Sequence, residues 1–226
     1  MPFAKIFIQS YLKYNFHNCD YIFILDAGLA ENDIKWLSNI ENVEIINSSI
    51  NTSFKDGNTS EEWTTTVVAK TLGLYELLKA YDVSPIIMID SDCLVLGDIS
   101  SLIDMTYHMQ ICHRLNHETP MLASYVSIND RVAGLEILNR WIETIPSITT
   151  PWKESPALSK IYPEFVDKFN LGLVPEQIVS CFKKEDVNEE VKIIHFKSGA
   201  AHKTIEESIQ KRIYERGWGE LIKEFE

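Results

Sequence analysis

Two spacings of apolar residues alternate along this chain. Short runs rich in β-branched residues, such as Tyr21-Ile22-Phe23-Ile24-Leu25 and Pro85-Ile86-Ile87-Met88-Ile89, have the length and composition of strands buried on both faces. Between them, apolar residues recur three and four apart, as on one side of a helix. Phe3, Ile6, Phe7, Tyr11 and Tyr14 predict a helix over 3–14. A short helix is expected over 31–40 and a long one over 61–81, with Ser60 as N-cap and Glu61 and Glu62 in its first turn. Further helices are expected over 98–105, 131–145, 176–182 and 204–216. Strands are expected over 19–26, 43–46, 85–89, 93–96, 109–113, 123–128 and 191–196. The polar stretch 47–60 is a loop. Residues 146–163 hold four prolines (146, 151, 156 and 163) and little periodicity, which predicts an active-site flap or insertion rather than a second core. The alternation of helices and strands predicts an α/β fold in one domain over 1–226.

One strand ends in unusual chemistry. The apolar run 85–89 breaks at Asp90-Ser91-Asp92 before Cys93-Leu94-Val95-Leu96 resumes it. Two acids at the end of a buried strand are costly unless a cation or hydrogen bonds compensate them. In open α/β sheets ligands bind outside the carboxyl ends of the strands. That placement favours a metal site over a solvated turn.

Composition narrows the classes. A formal net charge of -12, with no cluster of Lys and Arg, argues against nucleic-acid binding. An anionic substrate would therefore need local cations or a metal ion. Cys19, Cys93, Cys112 and Cys181 show no metal-binding spacing and fit small buried hydrophobes of a reduced compartment. No run approaches the roughly 18 apolar residues of a membrane span, and the start carries no secretory signal pattern, so a cytoplasmic protein is expected.

The Leu-x-x-Tyr-Asp ending of the long helix, followed by Ile-Ile-Met-Ile-Asp-Ser-Asp-Cys-Leu-Val, resembles the donor-site signature of GT-A glycosyltransferases of family 8. The resemblance runs from about Cys19 to Lys203. It implies a single GT-A, Rossmann-like domain with a mixed, mostly parallel central sheet flanked by helices. It also implies transfer of a sugar, retaining its anomeric configuration, from a nucleotide-diphosphate donor (a UDP-sugar by family habit) to the hydroxyl of a carbohydrate or other acceptor. Asp90 and Asp92 would then hold a divalent ion, manganese or magnesium, with Ser91 between them at the donor. His195, in Ile193-Ile194-His195-Phe196-Lys197-Ser198-Gly199-Ala200-Ala201-His202-Lys203, would be the third ligand. Gly199 and Lys203 would meet the diphosphate, although both stand later than in the family pattern, with Lys197 and His202 as alternatives. Lys70 would reach the donor from the long helix. Pro175-Glu176-Gln177 resembles the family's acid-Gln pair, which makes Glu176 a partner of sugar hydroxyls and places Gln177 near the anomeric carbon.

The front of the chain departs from the family. Either Lys5-Ile6-Phe7-Ile8 is the expected first strand, or that strand is missing and Asp26 and Gly28 lie at the base-binding edge. Two other classes compete. A sugar nucleotidylyltransferase would need a Gly-rich loop after its first strand, which this chain lacks. A non-catalytic nucleotide- or glycan-binding relic would keep the site without turnover.

Overall fold

The computed structural model describes residues 2–26, 28–47, 61–150, 152–197 and 205–225. Helix α1 (Pro2–Asn15) leads to β1 (Ile22–Asp26), α2 (Glu31–Leu37) and β2 (Val43–Asn47). The long α3 (Glu61–Ala80) is followed by β3 (Ile86–Ile89), β4 (Cys93–Val95), β5 (Met109–His113) and β6 (Met121–Ile128). Then come α4 (Arg131–Thr144), α5 (Glu154–Phe165), β7 (Leu171–Pro175), the single turn α6 (Glu176–Val179) and β8 (Ile193–His195). Helix α7 (Ile205–Ile209) runs on through a π-helical turn, Gln210–Tyr214, before α8 (Gly219–Ile222).

The central sheet has the order β3-β6-β5-β7, flanked by a β1-β2 ribbon and a β4-β8 ribbon. It is mixed, as expected, but the parallel majority needs correction. Only β5–β7 is parallel within it, whereas β3–β6 and β5–β6 are antiparallel. The cause is local: β5 and β6 are joined by a short loop, and a parallel pair would need a crossover of a dozen or more residues.

Helices α3, α4 and α5 cover one face of the sheet, where Leu74, Leu78, Leu138, Trp141, Leu158 and Ile161 pack on Met109, Ile111, Val126 and Ile128. The other face carries Cys112, Leu122, Tyr125 and Val174, which meet Val95, Ile193 and the α1 side chains Phe7 and Tyr11. A third cluster joins Ile6 of α1 to Leu94, Ile194 and Phe196 and to Ile213, Trp218 and Ile222 near the C-terminus. Strand β6 lies at the centre and is buried along its whole length, which accounts for its continuous apolar and small residues.

Four expectations are revised. Residues 5–8 lie inside α1, so they are not a first strand. Instead, α1 docks beside β4 through polar side chains: Val95 N donates to Ser10 Oγ (3.0 Å) and Ile99 N to Asn15 Oδ1 (2.8 Å). Residues 98–105 form only a 3-10 turn, Ser100–Leu102. There Asp98 and Asp104 accept from the backbone N–H groups of Ser100 and Thr106 (2.8 and 2.9 Å), a local bonding pattern that competes with helix. The expected helix over 176–182 stops after one turn at Val179, and Cys181 bridges to Ile194.

The fourth revision concerns the expected flap over 146–163, most of which is core. Its residues 154–163 belong to α5, with Ala157, Leu158 and Ile161 fully buried. Pro156 falls in the first turn, where a backbone N–H would have no helical partner, so the proline costs little there. The expected 47–60 loop lies outside the described residues beyond Asn47.

Candidate active site

Strand β3 pairs with β6 only as far as Ile89 opposite Tyr125. Beyond that point the edge of β6 is finished by other groups. Asp90 N donates to Ser124 O (3.3 Å) and Lys70 Nζ to Ala123 O (3.1 Å). Ser155 and Ser159, four residues apart on one side of α5, accept from Ala123 N (3.1 Å) and Met121 N (3.0 Å). The acids that follow β3 are thereby brought against α3, α5 and the end of β8.

Lys70 is the hub of the first half of the site. Its Nζ lies 2.5 Å from Asp90 Oδ1 and 3.2 Å from Glu154 Oε2. Burial acts to strip its proton, but the two carboxylates outweigh it and raise its pKa above the ordinary lysine value. Glu154, almost fully buried, also accepts from Thr71 Oγ1 (3.1 Å). Burial and the Asp90 charge push its carboxyl up to about 7, against the opposing pull of Lys70 and Thr71.

Asp92 anchors the second half. His195 Nε2 stands 3.1 Å from its Oδ1 and 3.7 Å from Asp90 Oδ2. Arg212, on the π-helical turn, binds the other oxygen, Oδ2. Burial opposes the Asp92 charge, yet His195 and Arg212 hold the carboxyl well below the usual range. Ser124 Oγ donates to Ser180 Oγ (3.0 Å), which lies 3.0 Å from His195 Nδ1. A Ser180 hydroxyl donating to Nδ1 would leave the imidazole proton on Nε2, facing Asp92. The β4–β8 register sets Cys93 directly across from His195.

The sequence-predicted residues divide. Asp90, Asp92, His195 and Lys70 lie together where β3 ends. Ser91 is exposed at the turn between the two acids. Asp26 ends β1, where its Oδ1 accepts from Gly28 N (2.8 Å) and Leu29 N (2.7 Å) around the positive φ of Gly28. Glu176 is buried and paired with Lys197, whose Nζ is 2.5 Å from Oε1. Gln177 is exposed and lines a pocket with Glu176, Cys181, Phe182, Lys183 and Asp186. That pocket contains neither Asp90 nor Asp92. Gly199, His202 and Lys203 lie outside the described residues.

Sequence reasoning missed Glu154 and Arg212. Glu154 stood in the stretch taken for a flap. Arg212 carried no local signal, because it reaches Asp92 from 120 residues away.

A manganese or magnesium ion seeks several carboxylate or carbonyl oxygens. Among the described residues, the one group of three ligand-type residues whose donor atoms lie within 4.8 Å of one another is Asp92, Cys93 and His195. Asp90 stands outside it, tied to Lys70. Burial raises the Cys93 thiol well above its ordinary pKa, and a protonated thiol is a poor partner for a hard ion. Arg212 already neutralises Asp92. The residues as arranged do not fit a divalent-ion cage.

The fold is that of the GT-A glycosyltransferases. The chain aligns with the galactosyltransferase LgtC, solved with donor and acceptor sugar analogues, at a TM-score of 0.61 and 12% identity, over 99% of this chain and 90% of that one. The glycosyltransferase GlyE of Streptococcus pneumoniae TIGR4 aligns at 0.59 and 15% identity, over 88% of this chain but 52% of its own. A glycosyltransferase involved in glycosylating the major capsid of PBCV-1 aligns at 0.52 and 14% identity, over 79% of this chain and 95% of that one. No family model and no curated protein matches the chain. Among the described residues, no helix is long and apolar enough to cross a membrane.

Proposed function

We propose that this chain is a glycosyltransferase that moves a sugar from a nucleotide-diphosphate donor to an acceptor hydroxyl. The observation that carries this reading is the convergence of Asp90, Asp92, His195 and Lys70 where β3 ends, within this fold. Breaking the bond to a nucleoside diphosphate leaves negative charge on the departing phosphates, and cations held in place there lower the barrier. Lys70 and Arg212 are held in place by the acids they bind. Lys197 is held nearby by Glu176, just past His195. A UDP-sugar donor and retention of configuration are the finer form of this reading and rest on the family 8 resemblance.

The test is release of nucleoside diphosphate from a panel of nucleotide sugars, with and without simple acceptor glycans. Wild type should turn over at least one donor, and Asp90→Asn should lower kcat/KM by about 100-fold, the scale seen when a fixed electrostatic group is lost. No turnover with any donor would remove the proposal.

A second reading, a binding protein without turnover, is favoured by one observation: each acid of the Asp-Ser-Asp turn already has a cationic side chain of the protein as partner. Binding of a nucleotide sugar with no release of its diphosphate would establish it.

A further inference from the structure

We infer that Arg212 takes the place of a divalent ion at Asp92, so that the site binds a nucleoside diphosphate without metal. This deepens the proposed function and rests on it for the identity of the ligand. It does not rest on it for the claim about Arg212.

The Arg212 side chain is fixed from three directions. Its Nη2 donates to Asp92 Oδ2, its Nε donates to the backbone carbonyl of Phe196, and its guanidinium lies over the Phe3 ring, 4.4 Å from the centroid. It is only 15% exposed. A surface arginine that had drifted onto a free carboxylate would lack the second and third contacts. Phe196 directly follows His195, and Phe3 belongs to α1, so one guanidinium ties the Asp-Ser-Asp turn to the end of β8 and to the first helix.

Charge points the same way. The site gathers three carboxyl groups, Asp90, Asp92 and Glu154, around two permanent cations, Lys70 and Arg212. A dication entering beside Asp92 would meet the guanidinium at close range and would compete with His195, which faces the other carboxylate oxygen at 3.1 Å. Guanidinium, by contrast, suits phosphate: it is planar, permanently charged and keeps donors to spare after binding one carboxylate oxygen.

The experiment has two arms. In the first, Mn2+ alone is titrated into wild type, Arg212→Met and Arg212→Lys, with free ion followed by electron paramagnetic resonance. Wild type and Arg212→Lys should bind Mn2+ no tighter than millimolar, and Arg212→Met should gain at least tenfold. Adding Asp92→Asn to Arg212→Met should erase the gain. Wild type binding Mn2+ as tightly as Arg212→Met would overturn the inference. If Arg212→Met fails to fold, micromolar binding of Mn2+ to wild type overturns the inference, and wild-type binding weaker than millimolar supports it.

In the second arm, uridine diphosphate is titrated calorimetrically into wild type in chelator and in Mn2+. Affinities within threefold of each other support the inference, and binding that requires Mn2+ overturns it. If uridine diphosphate binds in neither condition, the nucleotide-donor reading fails, while the first arm still decides whether Arg212 holds the ion's place.

Discussion

The ammonium of Lys70 lies 2.5 Å from Asp90 Oδ1, twenty residues later in the chain, and this pair fixes where α3 stands against the end of β3. The same ammonium reaches Ala123 O and Glu154, so a single cation links α3, the Asp-Ser-Asp turn, β6 and α5. Removing one partner of such a half-buried cluster leaves the others short of a counter-charge, which costs more than the intact cluster contributes.

Lys70→Met is therefore expected to destabilise the protein by about 3 kcal/mol, the lower end for breaking a buried ion pair because Lys70 is about a quarter exposed. Urea denaturation measures it. The double variant Lys70→Met/Asp90→Asn should recover part of the loss, since it removes the stranded charge as well. Equal stability of the two variants would mean that Asp90 is solvated rather than held by Lys70.

Glu154 gives stability a pH dependence. Its carboxyl titrates at about 7 in the folded protein and near its ordinary 4.5 when unfolded. Between those values the folded chain keeps a proton that the unfolded chain has lost, so this group's contribution falls as pH rises and the cost is complete above about pH 7. Glu154→Gln removes the effect. The stability of the variant relative to wild type should therefore rise by roughly 2–3 kcal/mol from pH 5 to pH 8, superimposed on a constant offset from the lost contact with Lys70. Denaturant midpoints at several pH values would show it, and a difference that does not change with pH would place the Glu154 pKa near the ordinary range.

How much of this was legible in the sequence follows from how far each signal travels along the chain. The run Ile86-Ile87-Met88-Ile89 broken by Asp90-Ser91-Asp92 is local, and the strand and the acids at its end are where the pattern put them. The helix over Lys70 was equally plain. By contrast, α5 hid behind Pro156 and Pro163, because proline reads as a helix breaker although a first-turn proline is not one. Strand β7, Leu-Gly-Leu-Val-Pro, is short and carries glycine and proline, yet it is held by parallel pairing with β5, a contact made some sixty residues away in sequence. Arg212 was beyond reach for the same reason: on a polar stretch of helix it looks like any solvated arginine until the fold brings Asp92 to it.

Ser180 is fully buried and stands between Ser124 and His195. Ser180→Ala would leave the Ser124 hydroxyl and His195 Nδ1 without these partners, at a cost of about 1–3 kcal/mol. The imidazole would also lose the bond that selects its tautomer. Nitrogen chemical shifts of His195 should then move toward an averaged tautomer. Unchanged shifts together with unchanged stability would show that Asp92 alone orients the ring.

The docking of α1 beside β4 makes the sharpest stability claim. Asn15 is 2% exposed, and it serves both backbone polarities at once: its Oδ1 accepts from Ile99 N at 2.8 Å, and its Nδ2 donates to Gly97 O at 3.3 Å and to Tyr11 O at 3.2 Å. One turn earlier, Ser10 Oγ accepts from Val95 N and donates to Phe7 O (3.0 and 2.9 Å). Backbone groups that a neighbouring strand would ordinarily satisfy are met here by two side chains of a helix. Asn15→Ala leaves a buried N–H at Ile99 unpaired and is expected to cost about 2–3 kcal/mol. Ser10→Ala should cost about 1–2 kcal/mol, the lower value because a hydroxyl-sized gap is less disruptive than the loss of an amide. Both residues lie against the strand that follows Asp92, so the loss should also raise hydrogen exchange at Val95 and Ile99 before the rest of the sheet. Exchange that speeds up uniformly across the molecule, with no early opening at those two amides, would mean that α1 does not hold β4 in place.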